Sequence, residues 1–296
     1  MPRPLTLAAS VAGAGLATLA YGSVVERNAF VLRRWDVPVL KPGTPPLRIL
    51  HVSDLHITAG QHHKHEWVRG LAQLDPDLVV NTGDTLSAAD AIPAVMHALE
   101  PLFEFPGVFV PGNNDYYAPT PKNPLHYFGS APPRPKGATL PWPDLAAAMS
   151  QAGWTDLTHV RTAVELPRHR VALAGTDDPH LLRDRYETIA GAADPDAVVR
   201  IGVTHSPEPR VLGAFAGDGY DLVLAGHTHG GQIRVPFGPA IVTNCGIEPA
   251  RARWVHAWDD HMLFHVSAGL GTNPWMPIRL CCRPEATILT LVPREN

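Results

Sequence analysis

Five short apolar runs in this chain end in residues that can bind a metal ion. "ILHVS" is followed by Asp54-Leu55-His56, "LVVNT" by Gly83-Asp84, and "GVFV" by Pro111-Gly112-Asn113. "RIGV" leads into Thr204-His205, and "LVLA" into Gly226-His227-Thr228-His229. Singly, each is an ordinary turn, since Asn and Asp tolerate unusual backbone angles and bond their own backbone. Together they put two carboxylates, an amide and four imidazoles in one kind of place. That place is the C-terminal end of a strand, beyond which open α/β sheets bind their ligands. Glycine beside a ligand residue lets the backbone turn tightly without a side-chain clash.

Seven donors are on offer: Asp54, His56, Asp84, Asn113, His205, His227 and His229. One tetrahedral zinc uses only three or four. Seven mixed nitrogen and oxygen donors suit two divalent ions that share a carboxylate. No thiolate is present in the set, so Mn, Fe, Zn and Co all fit. Two such ions, about 3.5–4 Å apart, lower the pKa of a bridging water and clamp an in-line displacement at phosphorus. The two aspartates cancel half of the ions' charge, which leaves a cationic pocket for a phosphoryl group.

The elements that must position these residues follow from the same runs. Three more strand-like stretches are "RVALAGTDD", "MLFHVSAG" and "ATILTLV". Helical candidates lie between the runs, among them "HEWVRGLAQL" and "PDLAAAMSQAGW". In the second, Leu145, Met149 and Ala152 recur at helical spacing and Gly153 is placed to stop the helix. Strands alternating with helices predict an α/β domain, and continuous apolar strands predict sheets buried on both faces. With 296 residues, 45% of them apolar, the chain can bury a substantial core. A net charge of −4 without a long basic run gives no nucleic-acid groove. Cys245, Cys281 and Cys282 make neither a disulfide framework nor a zinc knuckle and read as buried free thiols.

In the order "SDLH", "TGD", "GNND", "THSPE" and "GHTHGGQ", the chain resembles the calcineurin-like metallophosphoesterases, whose blocks run D-x-H, G-D, G-N-H-[D/E], H and G-H-x-H. The resemblance covers about residues 37–290. The ending "VSAGLGTNPWMPIRLCCRPE" is similar to a membrane-associated, phosphodiesterase-like subgroup. The resemblance implies an α/β fold of two mixed β-sheets packed as a sandwich and flanked by helices. It implies one ion on Asp54, His56, Asp84 and His229, and a second on Asp84, Asn113, His205 and His227, with Asp84 bridging. It implies a dimetal phosphoesterase acting on phosphodiesters through a metal-bridging hydroxide. The rival reading is a metal-binding scaffold or sensor with vestigial catalysis.

One residue departs from the family pattern. Asn114 stands where the family has a histidine that contacts the scissile phosphate and can protonate the leaving oxygen. An amide can donate a hydrogen bond but cannot deliver a proton at neutral pH. Asn114 and Asp115 are therefore the candidate catalytic residues, with Asp115 holding Asn114, holding a nearby histidine, or capping the turn. His126 and Arg279 are candidate substrate contacts. Residues 118–141 contain seven prolines and form a stiff, irregular segment next to the third ligand block. Lys122, His126, Arg134, Lys136 and four aromatic residues from Tyr116 to Phe128 could meet a phosphate and an apolar group there. "HHKH" at 62–65 reads as a solvated first helical turn, Asp177 and Asp178 as a plain turn or support for the site, and Gln232 as a neighbour of the ligands.

Residues 5–25 carry no charge and form a separate N-terminal element, 1–30, ahead of a domain at 37–296. As a helix of about 1.5 Å per residue it just spans a hydrocarbon core of roughly 30 Å. An uncleaved anchor, a secretory signal ending near Ala20–Gly22, and a packing helix all fit. The anchor is the expectation, with the cytoplasmic face favoured because Arg27, Arg33 and Arg34 follow the segment and only Arg3 precedes it. The expected partners are a phosphate ester, lipid-linked or nucleotide, and a membrane.

Overall fold

The computed structural model describes residues 4–121 and 137–294. Strands β1 (Val31–Leu40), β2 (Leu47–Val52), β3 (Leu78–Asn81), β4 (Gly107–Phe109) and β5 (Thr155–Asp156) belong to the first sheet. β6 (Val160–Leu166), β7 (His169–Gly175), β8 (Val199–Val203), β9 (Leu222–Ala225), β10 (Trp254–Ala257) and β11 (Leu263–Val266) make the second. β12 (Glu285–Pro293) returns to the first, so each sheet has six strands, in the orders β1-β12-β2-β3-β4-β5 and β10-β11-β9-β8-β7-β6. β2 through β5 run parallel, as do β7, β8, β9 and β11. The antiparallel pairs β12–β2, β10–β11 and β6–β7 make both sheets mixed.

Strand alternation sorts the apolar side chains into three layers. Leu47, Ile49, Leu78 and Val80 face Ile201, Val203, Leu222 and Leu224 between the sheets. Leu50, Val52 and Val79 point the other way, onto helices α2 (His62–Gly70), α3 (Ile92–Leu99) and α5 (Trp142–Gln151). On the second sheet Val223, Phe264 and Val266 pack against Val211, Leu212 and Phe215 of α6 (Pro209–Gly217). The result is the expected α/β/β/α sandwich. α5 ends as the sequence predicts: Gly153 takes φ +104, and the Trp154 amide closes back onto the Met149 carbonyl.

The N-terminal expectation is corrected. Among the described residues no helix is long and apolar enough to cross a membrane. α1 (Pro4–Ala20) has 17 residues, about 26 Å of helix, and changes to a π turn at Tyr21. The end of the segment and the residue after it dock onto the domain. Gly22 packs against Ile278, Arg279 and Leu280, and the buried Glu26 carboxylate accepts the Cys282 amide at 2.6 Å. The anchor, and the choice of membrane face that depended on it, therefore fall. β1 begins at Val31, six residues ahead of the expected domain start at 37.

Candidate metal centre

The parallel strands point their C-terminal ends at one place, and all seven predicted donors meet there. Asp54 and His56 follow β2, Asp84 follows β3, and Asn113 opens the short helix α4 (Asn113–Tyr116) after β4. His205 follows β8, while His227 and His229 follow β9. Donor atoms of Asp54, His56, Asp84 and His229 lie within 4.8 Å of one another. Asp84 divides its two oxygens: Oδ2 is 3.5 Å from His56 Nε2, and Oδ1 is 3.4 Å from His205 Nε2. His229 Nε2 lies 3.5 Å from Asp54 Oδ1, and His227 Nδ1 lies 3.2 Å from His205 Nε2.

The backbone is held under strain to achieve this. Asp54, His56, Asp84, His227 and His229 all have φ between 43° and 68°. Non-glycine residues rarely enter this region, at a cost on the order of 1–3 kcal/mol each. Two motif glycines supply the room. A Cβ on Gly226 would collide with Ser53 Oγ and Asp54 Oδ2, and one on Gly83 (φ +90) with the backbone of Pro111 and Gly112.

The donors fit divalent ions. Asn113 Oδ1 and His227 Nε2 are buried without a hydrogen-bond partner among the described residues, as lone pairs aimed at a cation would be. Burial pushes Asp54 up to about 6, and pulls His56 down to about 4 and His227 and His229 well below their ordinary value. Burial opposes the Asp84 charge, yet His205, His56 and the Asn114 amide hold its carboxyl well below the usual range. His56, His227 and His229 are thus neutral, the ligand state that a metal requires; His205 differs, since burial opposes its charge but Asp84 and Asp54 raise its imidazole well above the ordinary value, a proton that an ion would displace.

Neighbouring groups hold these ligands in place. The Asp115 carboxylate accepts the amides of Thr85 and Leu86 on Oδ1 and of Gly112 on Oδ2, at 2.8–2.9 Å. Of its three expected roles the described residues show the turn cap: Asp115 is a fully buried clamp between two ligand loops, and its hydrogen bonds among the described residues go to backbone amides. Asn114 donates to Asp84 twice, from its backbone amide and from Nδ2, each at 2.6 Å. Behind Asp54 runs a buried chain: His265 Nδ1 to His51 Nδ1 (2.8 Å), His51 Nε2 to Thr82 Oγ1 (2.9 Å), Thr82 to Ser53 Oγ (2.7 Å), and Ser53 to Asp54 Oδ2 (2.6 Å). One assignment of tautomers lets every member donate toward the carboxylate.

Arg279 is corrected too. It is fully buried, and its guanidinium donates to the carbonyls of Ala268, Gly269 and Gly271 at 2.6–3.0 Å. It shapes the loop that packs on Asp54 and His56 and does not reach the substrate side. The "HHKH" turn is not wholly solvated: Lys64 and His65 are buried, and Lys64 Nζ donates to the Leu55 carbonyl at 2.8 Å. Burial pulls Lys64 down to about 7, helped by the Arg279 and Arg27 charges. Asp178 caps the turn at His180 and Leu181, while Asp177 takes the Tyr116 hydroxyl and Arg183. Cys282 is buried, but Cys281 is exposed. His126 and residues 122–136 lie outside the described residues.

The family profile described as calcineurin-like phosphoesterase matches residues 47–231, which hold all seven donors. The chain belongs to that family. Among its relatives is YpbG of Bacillus subtilis (strain 168), 30% identical over 97% of this chain and 95% of that protein. Phosphodiesterase YaeI of Escherichia coli (strain K12) is 27% identical over 92% of each chain. The UDP-2,3-diacylglucosamine pyrophosphatase LpxG of Chlamydia trachomatis is 25% identical over 95% and 94%. Two groups around the metal-ligand cluster of this family member escaped sequence reasoning. Lys64 looked like part of a polar run. His180 lies with its ring 4.4 Å from that of His227, beside the same cavity; its only signal was its place after "GTDDP", another strand ending.

Proposed function

We propose that the chain is a dimetal phosphodiesterase. The observation that carries this reading is the divided Asp84 carboxylate, with one oxygen toward His56 and the other toward His205. That arrangement suits one ion on Asp54, His56, Asp84 and His229 and another on Asp84, Asn113, His205 and His227. Mn, Fe, Zn and Co all match the donor set. Bound there, the pair supplies Lewis acidity and a water acidic enough to attack phosphorus at neutral pH. The chain's own groups orient the ligands: Asp115 sets the spacing of the two loops, Ser53 fixes the Asp54 carboxylate, and Asn114 steadies Asp84. In the reaction a water oxygen bonds to phosphorus, one ester P–O bond breaks, and the departing alkoxide takes a proton. Asn114 cannot supply that proton, which favours esters whose leaving group needs none. The YaeI relative, named a phosphodiesterase, points the same way.

With Mn or Zn added, bis-p-nitrophenyl phosphate should be hydrolysed faster than p-nitrophenyl phosphate, and elemental analysis should find two ions per chain. One ion per chain would remove the dimetal reading. Two ions without hydrolysis of any ester would favour the metal-binding scaffold, to which the missing histidine lends weight.

A further inference from the structure

Beside the metal ligands lies a cavity of about 260 Å³ with two chemically different ends. At one end are Asp84, Asn113, His227 and His229; at the other are Ile233, Ile241, Val242, Trp275 and Met276. The apolar walls come from two loops, 230–244 and 273–276, that are tied together. The Gln232 amide, expected beside the ligands, donates Nε2 to the carbonyls of Met276 and Ile278 at 3.1 and 3.2 Å. The buried guanidinium of Arg234 holds the first loop through the Gly230 and Gly238 carbonyls. This wall is built, yet its apolar residues are left partly open: Ile241 is 50% and Trp275 58% exposed, and Val235 and Phe237 stand exposed on the same loop. Apolar surface left open at the mouth of a cavity marks a binding site more often than scattered surface residues do. Its continuity with the metal ligands fixes what the occupant must be attached to.

We propose that this apolar end binds one ester group, an alkyl or aryl chain, of a phosphodiester whose phosphate sits at the metal ligands. The preferred substrate is then an amphiphilic diester. This rests on the phosphodiesterase reading above. Apart from Asp84 and the histidines, the polar side chains that line the cavity are uncharged, Asn114, Thr228, Asn244 and Asn273 among them, so charge recognition there falls to the ions and histidines. Specificity comes from the length and bulk of the apolar arm.

The test is a series of p-nitrophenyl alkyl phosphates, methyl to hexyl, with the Mn-supplemented full chain. Nitrophenolate leaves in every member, so only the retained ester group varies. kcat/KM should rise about threefold to fourfold per methylene, corresponding to ~0.8 kcal/mol for each CH₂ taken from water. Ile233→Ser and Met276→Ser should each flatten that slope. Hydrolysis with a flat methyl-to-hexyl series would overturn the proposal. If no diester is hydrolysed, the phosphodiesterase reading fails, and the cavity is judged by calorimetry alone. Hexyl phosphate should then bind at least ~100-fold more tightly than methyl phosphate; equal affinities would overturn the apolar site independently of catalysis.

Discussion

The two sheets bring different chemistry to the metal centre. The first contributes Asp54, His56, Asp84 and Asn113, which include every oxygen donor. The second contributes His205, His227 and His229, imidazoles only. The oxygen side is braced from within: Asp115 spans its loops, Asn114 grips Asp84, and Ser53 fixes Asp54. The imidazoles are held more sparely: His205 Nδ1 meets the Thr82 carbonyl across the sheet boundary and His229 Nδ1 the Gly271 carbonyl, while His227 Nε2, like Asn113 Oδ1 on the oxygen side, meets nothing among the described residues. Several hydrogen bonds grip each carboxylate and fewer hold each imidazole, which leaves one donor atom on each side for ions to engage. The ions would then join the two sheets as well as the substrate.

The most severe break in this arrangement is Asp84→Ala, since both halves depend on that carboxylate. It should abolish measurable diester hydrolysis and lower the metal content from two ions to one or none. Metal removal tests the joining role directly. Two ions, each at about 100 times its Kd, would stabilise the fold by about 5.4 kcal/mol. For a chain of this size, at roughly 2–4 °C per kcal/mol, chelation should lower Tm by about 10–20 °C. An unchanged Tm, with metal loss verified, would mean that the sheets hold the site without the ions.

Asn114→His asks whether the oxygen side also lacks an acid. Nitrophenolate leaves without protonation and an alkoxide does not, so the gain should fall on alkyl diesters. It should reach up to the roughly 10²–10⁴-fold that a placed acid supplies, with little change for aryl diesters. Equal effects on one aryl and one alkyl substrate would sink the proton-donor account. Asp115→Asn sharpens the same comparison at smaller scale. An amide keeps one acceptor oxygen and turns an NH₂ toward the amides the second oxygen served. Metal affinity or activity should fall about 10–100-fold, with the aryl-to-alkyl ratio unchanged because Asp115 touches loops and not substrate.

Much of the oxygen and imidazole sets was legible in the sequence, because strand ends carry a residue-type signal. The eight apolar runs coincide with β2, β3, β4, β7, β8, β9, β11 and β12. β1 escaped because "VLRRWDVPVL" mixes charge with Pro38, which an edge strand tolerates and which sits at a register shift against β12. The two-residue β5 has too little length to leave a pattern. The left-handed backbone at five ligands was also invisible, since Asp and His, though enriched at such angles, occur far more often elsewhere. Burial was the larger gap. Arg279 and Lys64 are cations, so sequence reasoning assigned them to substrate and solvent, whereas each is spent on carbonyls that shape a ligand loop. The uncharged N-terminal run misled for the opposite reason: its apolar residues are shared between α1 and a docking contact at Gly22.

The smallest predicted effect concerns the seam between the sheets, where His51 of β2 meets His265 of β11. Burial pulls His51 from its ordinary 6.5 down to about 3 and holds His265 well below its own ordinary value. Both are therefore neutral in the fold and protonate only after unfolding. Between pH 6.5 and about 3 the unfolded chain binds more protons, so stability is lost as pH falls through that window. Each fully engaged histidine contributes a slope of about 1.4 kcal/mol per pH unit. His265→Phe removes one of the two. In chelator, where metal-site histidines contribute equally to both proteins, urea unfolding at pH 6.0, 5.5 and 5.0 should give a slope shallower by about that amount. The variant's overall stability can shift either way, because His51 loses a hydrogen-bond donor while the core gains an apolar ring. The slope does not depend on that offset. Parallel slopes for the two proteins would mean that the seam takes up no proton on unfolding, and that the chain behind Asp54 is already charged in the native fold.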